Sequence, residues 1–121
     1  MFTDPQTVTI NAVAQVMPRV SSGDNKGSFS LPDGTYQLKF AHQYGKRTRR
    51  TVRLDNTKIA ANPFDTTLNQ RVGASVYLVV DVPANGQSYT LLEVRQMVEG
   101  FTAYLTTGAA GNIAKLLGGE N

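Results

Sequence analysis

The sequence predicts an α+β chain in which strands fill the first two thirds and two helices follow. Three observations carry that reading. Up to residue 82, apolar and polar side chains alternate with a period of two, as strands with one buried face require. Near residue 90 the apolar spacing changes to three- and four-residue steps, the period of a helix. Strands and helices do not alternate along the chain, which argues against a parallel βαβ sheet.

The first strand is expected over residues 7–13, with Val8, Ile10 and Ala12 on one side and Thr7, Thr9 and Asn11 on the other. Residues 14–20 form a second, which should lie at an edge or stop at Pro18, because proline cannot donate to a ladder. Residues 21–27, Ser-Ser-Gly-Asp-Asn-Lys-Gly, read as a loop. A short strand follows at 28–31. Pro32-Asp33-Gly34 is a turn, since proline presets one backbone angle and glycine tolerates positive φ. Residues 36–44 are a stronger strand, with Tyr36, Leu38 and Phe40 on one face. Gly45-Lys46 reverses the chain, and residues 49–55 alternate again with Val52 and Leu54 inward. The two segments make a hairpin.

Residues 59–69, which contain Pro63, read as an irregular connection. Residues 71–82 are the most strand-like of all, with Val76, Leu78, Val80 and Val82 on one face, and Pro83-Ala84-Asn85-Gly86 ends them. Thr90-Leu91-Leu92-Glu93 then fits a capping box. Leu91, Val94, Val98, Phe101 and Leu105 form one helical stripe. Thr106-Thr107-Gly108 should end that helix. Asn112 should cap a second, short one, which Gly118-Gly119 stops.

The 121 residues suffice for one modest domain, 1–121, and are too few for two ordinary ones. With two helices and a sheet that has one wet face, a dimer in which each helix pair covers the partner's sheet would solve the burial problem; helices folded onto their own sheet are the other solution. No apolar run approaches the length of a membrane span, and Met1-Phe2-Thr3-Asp4-Pro5 has no basic-then-hydrophobic pattern of a signal peptide. The chain contains no cysteine, so disulfides, thiolate metal sites and thiol nucleophiles are excluded.

The net charge is only +3, but its distribution is uneven. Lys46, Arg47, Arg49, Arg50 and Arg53 place five cations within eight residues, which suits a polyanion partner as well as a solvated hairpin tip. No metal cluster, nucleophile constellation or cofactor motif is visible, and an enzyme is not expected. His42 shares the parity of Leu38 and Phe40, so it reads as a packed or rim histidine and not a catalytic base. Asp33 and Asp55 read as turn carboxylates.

These segments resemble the coat proteins of single-stranded RNA bacteriophages over nearly the whole chain. Tyr36-Gln37-Leu38-Lys39-Phe40 and Arg49-Arg50-Thr51-Val52-Arg53-Leu54 look like the family's central strands. Val76-Tyr77-Leu78-Val79-Val80-Asp81-Val82-Pro83 looks like its last long strand, and residues 88–117 look like its C-terminal helices. The opening Met1-Phe2-Thr3-Asp4-Pro5-Gln6 is similar to that of environmental members. The resemblance implies an N-terminal hairpin, a five-stranded antiparallel sheet and two helices. It implies an interlocked homodimer, an icosahedral shell of T=3 type and a virion capsid assembled in the bacterial host cytoplasm. It also implies a sheet surface that meets viral single-stranded RNA, including a hairpin whose binding represses translation and marks the genome for packaging. No membrane, small-molecule substrate, metal or cofactor is expected.

Carried over position by position, the resemblance places RNA-facing residues at Gln37, Lys39, Ala41 and Gln43, at Arg49, Thr51 and Arg53, and at Ser75, Tyr77 and Val79. Ala41 and Val79 depart from the polar character of such positions. The expected RNA-binding set is therefore Gln37, Lys39, Gln43, Arg49, Thr51, Arg53, Ser75 and Tyr77. Lys39, Arg49 and Arg53 would meet phosphates and release counterions. Arginine adds a rigid fork of donors. Tyr77 would stack on an unpaired base, or else pack across strands. The remaining four would hydrogen-bond to base edges or ribose, or else form ordinary wet sheet surface. Arg50 points the opposite way and is left out of the set. The competing reading is a non-viral RNA-binding module with a basic antiparallel sheet.

Overall fold

The computed structural model describes residues 2–61, 63–64, 67–83 and 89–120. The chain divides into two compact units, Met1–Asp81 and Val82–Asn121.

In the first unit a two-stranded hairpin, β1 (Gln6–Ile10) and β2 (Val13–Met17), precedes a five-stranded sheet. The sheet strands are β3 (Arg19–Gly23), β4 (Lys26–Ser30), β5 (Tyr36–Gln43), β6 (Arg47–Ala61) and β7 (Asn69–Pro83), paired in chain order. Such a meander needs only short reversals between antiparallel neighbours. Asn11 and Ala12, both at positive φ, make the two-residue turn between β1 and β2. Leu31 O accepts from Gly34 N at 2.9 Å, so Pro32-Asp33 forms the expected turn, with Gly34 at φ +75. Asp33 Oδ1 accepts from Thr35 N and Thr35 Oγ1, and the backbone donor above all lowers its pKa.

Register decides which side chains share a face. Leu38 lies opposite Phe29 and Leu54, and Phe40 opposite Val52. This apolar face holds the core: Met17, Phe29 and Leu38 are buried, ringed by Val8, Leu31, Tyr36, Phe40, Val52 and Leu54. Met17 and Val8 come from the β1–β2 hairpin, which therefore covers this part of the sheet. Phe2 stacks on Phe40 with centroids 4.0 Å apart. The expected inward set from Leu38 to Leu54 is thus the observed one, and β2 stops before Pro18 as expected.

Several strand boundaries differ from the sequence reading. The first strand, expected to run to residue 13, ends at Ile10 because Asn11 and Ala12 turn the chain at positive φ, so β2 runs from Val13 to Met17. β4 takes in Lys26 and Gly27, expected in the loop, and β6 begins at Arg47, ahead of residue 49. Residues 19–23, placed mostly in a loop, form β3. Arg-Val-Ser-Ser-Gly carries no apolar alternation, and what holds it is pairing to β4 around Asn25 at φ 60. Residues 59–61, read as irregular, belong to β6. β6 and β7 each have fifteen residues, whereas β5 has eight and pairs with β6 only as far as Asn56. The turn expected at Pro83-Ala84-Asn85-Gly86 falls on residues 84–86, outside the described residues.

The second unit carries α1, assigned as one helical run from Leu91 to Leu117. Thr90 caps it, its hydroxyl accepting from Glu93 N at 3.2 Å. Thr106-Thr107 does not end the run. The hydroxyls of Thr106 and Thr107 bond back to carbonyls four residues earlier, Thr102 O and Ala103 O, which satisfies them inside the helix. Nor does Asn112 cap a separate N-terminus. Its side-chain amide donates to Tyr104 O at 2.6 Å. Eight residues of straight helix would separate those positions by about 12 Å, so the axis bends between them into two arms, the two expected C-terminal helices joined without a break in the helical assignment. A 520 Å³ cavity lined by Phe101, Tyr104, Leu116 and Glu120 lies between the arms. Gly119 at φ +84, with Glu120 N on Lys115 O and Gly119 N on Leu116 O, closes the run in a Schellman motif at the expected Gly118-Gly119 stop.

Candidate nucleic-acid interface

The opposite parity of the same strands builds the second face of the sheet. Gln37 pairs with Asp55, Lys39 with Arg53, Ala41 with Thr51 and Gln43 with Arg49. On β7, Ser75 lies beside Asp55 and Asp81 beside Arg49, so the number rises on β7 as it falls on β6. That places Ser75 and Tyr77 on the same face. Register thus brings all eight sequence-predicted residues to one side of the sheet, away from Phe29 and Leu38. The Lys39, Arg49 and Arg53 side chains are 49 %, 61 % and 49 % exposed.

Arg50 points to the other side, as expected from its parity. Its guanidinium lies 3.1 Å from His42 Nδ1 and donates to Tyr44 Oη at 3.4 Å. Lys46 lies in the β5–β6 turn and is exposed.

Two carboxylates missed as site members organise the cations. Asp55 is not a turn residue. It lies inside β6, its side chain 17 % exposed. Its Oδ1 accepts from Ser75 Oγ at 2.5 Å and from Arg53 Nε at 2.8 Å, and Lys39 Nζ lies 3.4 Å from Oδ2. The Ser75 hydrogen bond above all, with those of Arg53 and Lys39, lowers its pKa against the opposing effect of burial. Arg53 is raised in turn by the Asp55 hydrogen bond and charge. Arg53 also donates to Ser75 Oγ at 3.1 Å and sits 5.6 Å from the centre of the Tyr77 ring. Asp81 takes Arg47 Nε at 3.0 Å and Arg49 Nε at 3.6 Å. The parity of Arg49, Thr51 and Arg53 continues to Asp55, and that was the available signal. Ending the strand at Asp55 hid it.

A 260 Å³ depression on this face is lined by Gln37, Lys39, Arg53, Asp55, Thr57 and Ser75. Gly73 forms part of its edge, and a Cβ there would come within 3.3 Å of Asn56 O. Among the described residues no group of three acidic or histidine side chains is arranged to hold a metal ion. The face offers guanidinium and ammonium donors, amide and hydroxyl groups and one exposed aromatic ring. These are the groups that bind phosphate, ribose and unpaired bases.

The backbone is similar to those of solved bacteriophage coat subunits. It matches the virus-like particle of bacteriophage AVE019 over 95 % of both chains, with a TM-score of 0.76 at 10 % identity. The coat protein of bacteriophage EMS014 matches over 99 % of this chain and 98 % of its own, with a TM-score of 0.69 at 12 % identity. The virus-like particle of Beihai levi-like virus 21 matches over 97 % and 94 %, with a TM-score of 0.69 at 13 % identity.

The chain has the RNA-phage coat-protein fold.

No family model matches the sequence, and no curated protein matches it either. The fold is therefore shared at 10–13 % identity, with most individual residues different.

Proposed function

We propose that this chain is a capsid subunit, one domain over residues 1–121, that pairs with a second copy, builds an icosahedral shell and turns its polar sheet face toward packaged single-stranded RNA. The observation that carries the reading is end-to-end agreement with coat and virus-like-particle subunits, covering about nineteen twentieths of the chain and of its AVE019 counterpart. The role is structural and not catalytic.

The exposed edge strand and apolar side chains of the single chain support the dimer. β7 is a fifteen-residue strand at the end of the sheet order. A long edge of that kind presents a row of backbone donors and acceptors to another strand. Val76 is 72 % exposed on the apolar parity of β7, and α1 exposes Leu91, Met97, Phe101 and Leu117. Burying each such side chain against a partner contributes about 1.5–3 kcal/mol. A partner's β7 laid against this one, with helices exchanged across the joint sheet, satisfies both needs.

The RNA reading is supported by the presence of Lys39, Arg49 and Arg53, about half exposed or more, on one face of the sheet. Lys39, Arg49 and Arg53 would draw phosphates to the polar face with a salt-dependent affinity. Tyr77 would stack on an unpaired base, and Gln37, Gln43, Thr51 and Ser75 would contact ribose or base edges. Recognition of one RNA hairpin as repressor and packaging signal, T=3 geometry and assembly in the host cytoplasm belong to the same reading.

Expression of the chain followed by electron microscopy and nucleic-acid analysis of the particles tests it. Regular closed particles containing RNA are expected. Monomers or dimers alone under every assembly condition would reject the capsid role. If those small species still bound RNA, the non-viral module would be the better reading.

A further inference from the structure

Four cations stand on the polar face along β5 and β6, Lys39, Arg47, Arg49 and Arg53, and each is already engaged by a carboxylate of the same face. Asp55 takes Lys39 and Arg53, and Asp81 takes Arg47 and Arg49. Two carboxylates therefore cancel half of the charge of these four cations within the chain.

The partners in these pairs are not equally fixed. Asp55 is 17 % exposed and is also held by the Ser75 hydroxyl, whereas Lys39 and Arg53 are each 49 % exposed. The carboxylate stays and the cations can turn away. Ion pairs at this exposure contribute little net stability, so stability gives little reason to keep them. Their effect on an approaching polyanion is larger. A mobile counterion leaves when a phosphate binds and adds entropy. A carboxylate fixed to the strand cannot leave, and it continues to repel the phosphate that displaces it.

Resting on the proposed RNA-facing role of this surface, we infer that Asp55, with Asp81 as a weaker second, is a specificity-determining residue: an internal counterion that suppresses indiscriminate capture of RNA. An RNA binds well only when its phosphates reach the donors left free on the paired cations. Arg53 commits Nε to Asp55 and one Nη to Ser75, while a guanidinium has five N–H donors. Tyr77 beside Arg53 offers a ring to a base at the same point. A strand with a phosphate and an unpaired base at the matching spacing gains both contacts. A generic strand gains one and meets the carboxylate. The depressed pKa of Asp55 keeps this charge in place at neutral and mildly acidic pH.

The test compares the wild-type chain, Asp55→Asn and Asp81→Asn for binding of an unstructured oligouridylate across a range of salt concentrations. Asp55→Asn should bind about fivefold tighter at low salt, with the log–log salt slope steeper by about 0.7. Asp81→Asn should show a gain of about twofold, because Arg47 and Arg49 are more exposed and better screened by solvent. Wild-type affinity and slope in the folded variants, or weaker binding, would overturn the inference. If Asp55→Asn does not fold, Asp81→Asn decides the question alone. Salt-dependent binding by the wild type with no gain in the variants defeats only this inference. Absence of binding by all three chains defeats the RNA reading and this inference with it.

Discussion

The two faces of the β5–β6 hairpin are made by the same sixteen-odd residues and obey different rules. On one, Leu38, Phe40, Val52 and Leu54 meet Phe29 and Met17, and each position is fixed by the shape of its neighbours. On the other, Lys39, Arg49 and Arg53 meet Asp55 and Asp81 through pairs that remain open to water. Close packing tolerates few alternatives. Solvated ion pairs can be exchanged for another anion at little cost. One strand pair thus holds the fold with its even-numbered side chains and keeps a remakeable surface on its odd-numbered ones.

Truncating a side chain on the packed face should have the largest effect. Phe29 is 1 % exposed, and Phe29→Ala should cost about 3–5 kcal/mol, read from the denaturation midpoint. A cost below about 1 kcal/mol would mean that the hairpin of β1 and β2 is not the cover described above. From the wet side, Arg49→Ala combined with Arg53→Ala should leave the midpoint nearly unchanged, weaken RNA binding about tenfold and flatten the salt slope by about 1.4. An unchanged binding curve in the folded double variant would remove these residues as the main electrostatic contacts.

Acid should act on the wet face by a smaller margin. Asp55 has a folded pKa below its ordinary value of 3.8, chiefly through Ser75. Its contribution to stability is present above the unfolded pKa and is lost as the pH falls through the folded one. Melting curves between pH 5 and pH 2 should therefore decline less steeply in Asp55→Asn than in the wild type. Parallel curves would show that the network around Ser75 does not persist in solution.

Much of this architecture was legible from residue pattern. The alternation through Tyr36, Leu38 and Phe40 and through Val52 and Leu54 named the buried face correctly, and Thr90 with Glu93 marked the start of the helix. Elements held by distant partners were not legible. β3 has no apolar alternation of its own and exists because β4 pairs with it. The turn at Asn11-Ala12 uses an alanine at φ 63, a conformation that alanine does not advertise. The helix crosses Thr106 and Thr107 because their hydroxyls find carbonyls one turn back. For the candidate site, parity collected all eight residues on one face, and their role in binding RNA rests on the proposal. Asp55 escaped because its meaning depends on Ser75, twenty residues away in the chain.

The unequal strand lengths have a mechanical consequence. β5 stops flanking β6 at Asn56, while β6 continues to Ala61 beside β7. At about 3.3 Å per residue the overhang is roughly 15 Å long. Two-stranded ribbons coil more strongly than broad sheets and have little rigidity of their own. In the single chain the sheet should therefore be stiffer where Leu38 anchors it than along the overhang, and a lateral load there should be taken up as flexure before it reaches the packed interior.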